Sequence, residues 1–144
     1  MTTTSKDPLR IADITVPGPF AGPLSYRIEP GQTPVPGSRC KVPLRSRQVI
    51  GVVTGVRPAQ PGDSDTLKRI VDVLDDAPLL SPDVLQLAQW VSRYYLYDAY
   101  PAYMLAFPAA LRSGEPAELN DEPQLELTVS GEHLDPDKLK GRRQ

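Results

Sequence analysis

Residues Gln48–Val56 read QVIGVVTGV. Five of the nine are Val or Ile, residues whose branched Cβ suits a pleated, half-buried strand. Two glycines interrupt the run, Gly51 and Gly55, and glycine inside a strand marks a bend or bulge. A strand of this kind closes a small barrel more readily than it extends a flat sheet. The segments on either side carry the same signature. Ser38–Leu44 (SRCKVPL) alternates, with Arg39 and Lys41 on one side and Cys40 and Val42 on the other. Leu24–Glu29 (LSYRIE) places Leu24, Tyr26 and Ile28 on one face, and Arg10–Val16 (RIADITV) alternates as well. Leu67–Leu74 (LKRIVDVL) is read as a fifth strand in which Ile70 breaks the alternation, with a helix as the competing reading.

The turns between these runs are rich in Pro and Gly: PGPFAGP (17–23), PGQTPVPG (30–37) and the loop from Pro58 to Thr66. Proline makes up 17 of the 144 residues, about 12% against the ordinary ~5%, which excludes a coiled coil or a long helical bundle. About five short strands separated by such turns predict a small barrel or sandwich.

The character changes after Asp75. Ser81 is a helix cap, Pro82 suits the first helical position and Asp83 suits the first turn. Val84, Leu87, Ala88, Val91 and Tyr95 then recur at helical spacing, with Trp90 and Tyr94 on the flank. Tyr100–Leu111 is a second apolar helical segment, which Pro108 ends or kinks. The expected fold class is therefore α+β: an OB-like, barrel-like body of about five strands followed by two helices. Residues 1–9 read as a frayed start, 10–112 as the domain and 113–123 as a linker. Residues 124–144, with the alternating QLELTV (124–129) and a helix start at Asp135, read as the opening of a following domain or a tail.

The net charge of −2 is unevenly spread. Residues 1–112 hold 12 Lys/Arg and 10 Asp/Glu, whereas residues 113–144 hold 4 and 8. Cys40 is the single cysteine, which excludes an internal disulfide and a multi-cysteine zinc site. The chain lacks the apolar run of a membrane span and the leader of a secreted protein, and it reads as cytoplasmic. There is no phosphate loop and no GxSxG elbow. His133 stands alone and reads as a solvated residue. Asp72, Asp75 and Asp76 read as a solvated strand end in preference to a cation site. No enzyme, metal or cofactor is expected. Arg39, Lys41, Arg45 and Arg47 fall within nine positions without an acidic residue between them, and Lys68 and Arg69 open the next ordered segment. Such a patch suits a phosphate backbone, though an ordinary solvated strand face explains the charge equally well. Tyr94, Tyr95, Tyr97, Tyr100 and Tyr103 read as core or rim.

Several pieces, taken in order, carry a resemblance: LSYRIEPG (24–31), PGSRCKVPL (36–44), the VP…IG region within Val42–Val53, VLDDAPLLSP (73–82), Trp90 with Tyr94–Tyr95, and AFPAALR (106–112). Together they resemble the N-terminal domain of the PriA family of bacterial primosomal replication-restart proteins. The resemblance implies a domain that binds the 3′ end of the nascent leading strand at a stalled fork. In that family an aromatic–Asp–Tyr triplet, a glycine and a lysine form the pocket. Here the triplet positions are Leu24, Ser25 and Tyr26, the glycine position is Arg45, and the lysine is Lys68. Leu24 lacks the ring that stacks on a base. Ser25 keeps a hydrogen bond to a hydroxyl but without charge assistance. Arg45 either adds a phosphate contact or obstructs the pocket. The candidate DNA-binding set is Ser25, Tyr26, Arg45, Arg47 and Lys68, with Leu24 and Leu44 as apolar walls. The expected partner is forked or primer-ended DNA. The alternative is a module that docks other restart or single-strand-binding proteins, with end recognition lost. A third possibility is a structural cap for a longer chain.

Overall fold

The computed structural model describes residues 8–63 and 66–118. Five strands form one sheet: β1 (Arg10–Thr15), β2 (Leu24–Arg27), β3 (Arg39–Leu44), β4 (Arg47–Pro58) and β5 (Asp72–Val73). Their spatial order is β2-β1-β4-β3-β5, and every pair is antiparallel. The long β-branched strand β4 is central and pairs with both β1 and β3.

The bulge expected from the glycines is present. Asp13 pairs with Gly55 and Ile14 with Val53, so Thr54 is the extra residue. Gly51 meets a different need. A Cβ there would come within 2.4 Å of Ile14 Cγ2, so only glycine lets β1 cross this close.

The expected fifth strand is mostly not one. Of Leu67–Leu74, only Asp72–Val73 pairs as a strand, with β3. The residues before it cross to β2 instead. Arg27 N donates to the Lys68 carbonyl at 2.8 Å and Ile70 N to the Arg27 carbonyl at 3.1 Å, making a parallel bridge between Arg27 and Arg69. Val71 N then donates to the Lys41 carbonyl at 2.9 Å on β3. A segment that serves two neighbours in six residues cannot keep one alternation, and Ile70, where the pattern breaks, turns into the barrel interior. This crossing joins the two edges of the sheet and gives the OB-like body. Its core is built from Ala12, Ile14, Tyr26, Val42, Val53 and Ile70 among others.

Among the described residues three helices follow: α1 (Pro82–Tyr94), α2 (Ala99–Leu105) and α3 (Ala109–Arg112). Ser81 caps α1, accepting from Val84 N at 3.3 Å. Pro108, which lacks an N–H, separates α2 from α3, so the single segment expected over 100–111 is two short helices. The buried face of α1 is also turned from the expected stripe. Leu85 and Ala88 are buried, while Leu87 and Tyr95 are exposed. The difference arises because Leu85 and Ala88 share a second core with Val52, Tyr103, Met104 and Phe107, on the outer side of β4. Tyr100 Oη donates to the Ile50 carbonyl at 2.9 Å and ties the helices to the barrel.

The basic patch expected on β3 and the turn after it is not a single surface. Arg39 is fully buried, and its Nη2 lies 2.7 Å from Asp75 Oδ1. Asp75 is thus neither a solvated strand end nor part of a cation site. Its Oδ2 also accepts from Arg39 Nε at 2.9 Å and from Arg39 N at 2.8 Å. Arg39 Nη1 donates to the carbonyls of Leu111 at 2.6 Å and Glu115 at 2.9 Å, holding the chain that leaves α3 against the barrel. The strand expected over Gln124–Val129, the helix start at Asp135 and His133 lie outside the described residues.

Candidate nucleic-acid interface

Edge strand β2, the β3–β4 turn and the crossing segment converge at one mouth of the barrel. Between them lies a cleft of about 420 Å³ lined by Phe20, Leu24, Ser25, Tyr26, Leu44, Arg45 and Lys68, with Pro43, Thr66 and Leu67 at its margin. Six of the seven residues selected from sequence meet here: Leu24, Ser25, Tyr26, Leu44, Arg45 and Lys68. Arg47 does not. It lines an adjoining recess of about 300 Å³ with Pro17, Gly18, Phe20, Leu44 and Arg45.

Each wall has a local cause. Leu44 pairs with Arg47, so Arg45 and Ser46 form a two-residue turn. Arg45 has φ +55°, the left-handed region that favours glycine. A non-glycine residue held there costs about 1 kcal/mol, and such strain gathers where a side chain is wanted for a task. Arg45 lines both recesses. Lys68 is fixed by the crossing, through its carbonyl bond to β2.

Tyr26 is a wall more than a contact. It is 3% exposed, its Oη donates to the Pro43 carbonyl at 3.1 Å, and burial pushes its phenol pKa up. Phe20, from the Pro/Gly turn after β1, was not among the residues singled out from sequence. It brings an aromatic ring to a cleft whose triplet position carries Leu24. No periodicity marks a residue in such a turn.

A charged group beside β2 was missed as well. Ser25 pairs with Asp13 across the β1–β2 ladder, and Ser25 Oγ lies 2.8 Å from Asp13 Oδ1. Arg57 Nε lies 3.4 Å from Asp13 Oδ2, and Arg57 makes two bonds to Asp63, at 2.8 and 2.9 Å. The Asp63 carboxyl is held down at about 2 by the Arg57 bond first and by the Gln60 backbone N–H next. Among the described residues, no three His, Cys, Asp or Glu side chains gather in a way that could hold a metal ion. No helix among them is long and apolar enough to cross a membrane.

The family model described as "3'DNA-binding domain (3'BD)" of PriA matches residues 13–108. The replication restart protein PriA of Bacillus subtilis is 32% identical over 98 residues, 68% of this chain and 12% of the relative. That of Haemophilus influenzae is 30% identical over 97 residues, 67% of this chain and 13% of the relative. A Buchnera aphidicola PriA is 26% identical over 133 residues, 92% of this chain and 18% of the relative. The chain thus spans less than a fifth of the length of these curated relatives. The matched region runs from Asp13 on β1 to Pro108 before α3, taking in the second half of β1, all of β2 to β5 and the residues that line the cleft, and the chain belongs to the PriA 3′DNA-binding domain family.

Proposed function

We propose that the cleft binds the 3′-terminal nucleotide of a DNA strand, so that the domain recognises the nascent leading-strand end at a fork during replication restart. The observation that carries this reading is the convergence of three separate elements on one cleft. The apolar ring of Phe20 and the walls of Leu24 and Leu44 suit a base, because base–aromatic stacking tolerates any sequence. Arg45 and Lys68 suit the adjoining phosphates, with Arg47 continuing the positive rim. The domain acts by binding and supplies no reaction chemistry of its own.

The test is fluorescence anisotropy with a primed-fork DNA across a series of salt concentrations. Arg45→Ala combined with Lys68→Ala should lower affinity about tenfold or more and flatten the dependence of log K on log salt by about 1.5 to 2, the loss of two phosphate contacts. An unchanged affinity and slope would remove these two residues from the interface.

A second reading, docking of other restart or single-strand-binding proteins, is favoured by a different face. Trp90 and Tyr94 stack with centroids 4.9 Å apart, Tyr94 meets Tyr95 edge-on, and Leu96 is 93% exposed beside Tyr97. Exposed aromatic groups of this kind mark interfaces. Salt-insensitive binding to such a protein, with no measurable DNA affinity, would favour it.

A further inference from the structure

We propose that a recess farther along the seam between β2 and the crossing segment, lined by Arg10, Arg27 and Arg69, is a second phosphate site. It grips the backbone of the DNA strand a few nucleotides back from the end that the cleft holds. The inference rests on the proposed binding of a strand end in that cleft.

The recess measures about 270 Å³ and shares no lining residue with the cleft. Its walls come from three places: residues 8–10 at the start of β1, residues 27–31 where β2 runs into its turn, and Arg69 on the crossing segment. One side chain ties these walls together. Gln32 Oε1 accepts from Glu29 N at 3.0 Å, and Gln32 Nε2 donates to the Ile70 carbonyl at 3.2 Å. The Gln32 carbonyl accepts from Arg10 Nη2 at 3.2 Å. The chain doubles back here because Gly31, at φ +88°, takes the positive-φ position of the turn closed by Gln32 N and the Glu29 carbonyl. The recess is therefore built before any ligand arrives.

Its charges favour an anion. Three arginines and one glutamate line it, a sum of +2. Arg10 is oriented by a neutral carbonyl, which leaves its charge intact. Arg69 Nε meets Glu29 Oε1 at 3.2 Å with 66% and 33% of the two side chains exposed. A wet pair of this kind contributes little and yields its guanidinium readily to a phosphate. Arg27 and Arg69 are bridge partners, so their side chains leave one face from neighbouring strands about 5 Å apart.

Position makes the bound strand the ligand. Lys68 lines the cleft and Arg69 the recess, and Tyr26 and Arg27 divide the same way. The two sites thus follow one another along one seam. From Ser25 in the cleft to Ile28 in the recess is three residues, about 10 Å of strand rise. In a duplex one strand presents a phosphate about every 3.4 Å of axis. A strand whose end lies in the cleft therefore brings roughly its third phosphate to the recess.

The test uses the 144-residue chain and a primed fork, read by fluorescence anisotropy across a salt series. Arg27 is left in place, because it pairs across β1 with the fully buried Ile11. Arg10 and Arg69 are exposed. Arg10→Ala with Arg69→Ala should weaken binding about fivefold and flatten the slope of log K against log salt by about 1, the loss of one phosphate contact. A single uncharged methylphosphonate linkage then locates the site. Stepped back along the leading strand from its 3′ end, it should cost the unaltered chain about the same fivefold near the third linkage. There it should cost the double alanine variant nothing further. At a linkage a full helical turn away it should cost neither protein anything. If the double variant fails to fold, Arg69→Ala alone carries the same comparison. Unchanged affinity and slope in these variants, with the effect of Arg45→Ala and Lys68→Ala intact, would overturn the second site and leave the proposed function standing. A methylphosphonate loss of equal size with and without the arginines would overturn it also. Failure of the unaltered chain to bind any fork would remove both.

Discussion

Two Arg–Asp pairs in this domain are bidentate, Arg39 through Nε and Nη2 and Arg57 through Nη1 and Nη2, and they differ in what surrounds them. Arg39 and Asp75 are almost dry, at 0% and 3% side-chain exposure, whereas Arg57 and Asp63 keep 30% and 17%. In the dry pair every guanidinium nitrogen donates to a structural partner, the carbonyls of Leu111 and Glu115 among them. In the wet pair, Arg57 has reach to spare and touches both Asp13 and Ser25 beside the cleft. The lesson is that one side-chain chemistry fastens the helical end of the domain when water is absent and can tune a binding site when water is present. A buried pair is strongly coupled to folding because a lone buried charge is costly. An exposed pair is screened and contributes little to stability.

The largest expected effect comes from breaking the dry pair. Arg39→Ala should cost about 3–5 kcal/mol in chemical denaturation, since it strands the Asp75 carboxylate. A cost below about 1 kcal/mol would show that this pair is no more than a surface contact. Replacing both partners, with Arg39→Met and Asp75→Leu, should recover only part of the loss. Apolar replacements remove the charges but leave the carbonyls of Leu111 and Glu115 without their donor. Full recovery would mean those carbonyl bonds are dispensable.

The neighbouring thiol reports on the same latch. Cys40 is buried, and its pKa is pushed up to about 12, by burial first and then by the charges of Asp75 and Asp72. Alkylation should therefore wait for opening of the barrel, and Arg39→Ala should speed it by about two to four orders of magnitude, the same free energy read kinetically. Equal rates in the two proteins would place Cys40 outside the unit that the pair holds shut.

Effects at the wet end should be smaller and of another kind. Arg45→Gly removes a side chain from the left-handed position in the β3–β4 turn, so it should raise stability by about 0.5–1 kcal/mol while weakening fork binding several-fold. Higher stability with unchanged DNA affinity would show that the strain serves no binding role. The smallest effect is a pH dependence. The folded Asp63 carboxyl titrates at about 2, below its ordinary 3.8. Its bond to Arg57 therefore stabilises the loop fully above about pH 4 and is lost as pH falls through about 2. Carboxyl chemical shifts followed by NMR should show that midpoint, and an Asp63 midpoint near 3.8 would mean the loop is not anchored.

Much of the body was legible in the chain. The β-branched residues and glycines of Gln48–Val56 predicted a long strand with a bulge, and the structure places the extra residue at Thr54. Ser81, Pro82 and Asp83 marked the start of α1 because capping is local chemistry. The candidate site was proposed through a resemblance more than through spacing, since Leu24 to Lys68 span more than forty positions. Asp13, Phe20 and Arg57 escaped notice because each gains its meaning from a partner distant in the chain.

The sequence alone determined what local physics controls: strands where β-branched residues alternate, turns where Pro and Gly collect, and a helix start where a cap precedes an apolar stripe. Tertiary structure decided which of several similar charges are dry. Arg39 and Arg45 look alike in the string, yet one is sealed under α3 and the other stands in a turn at the cleft. The reason is that burial depends on what the rest of the chain lays over a residue. Here the crossing segment before β5 and the chain leaving α3 settle that, and neither contact is encoded within a few residues of the arginine it affects.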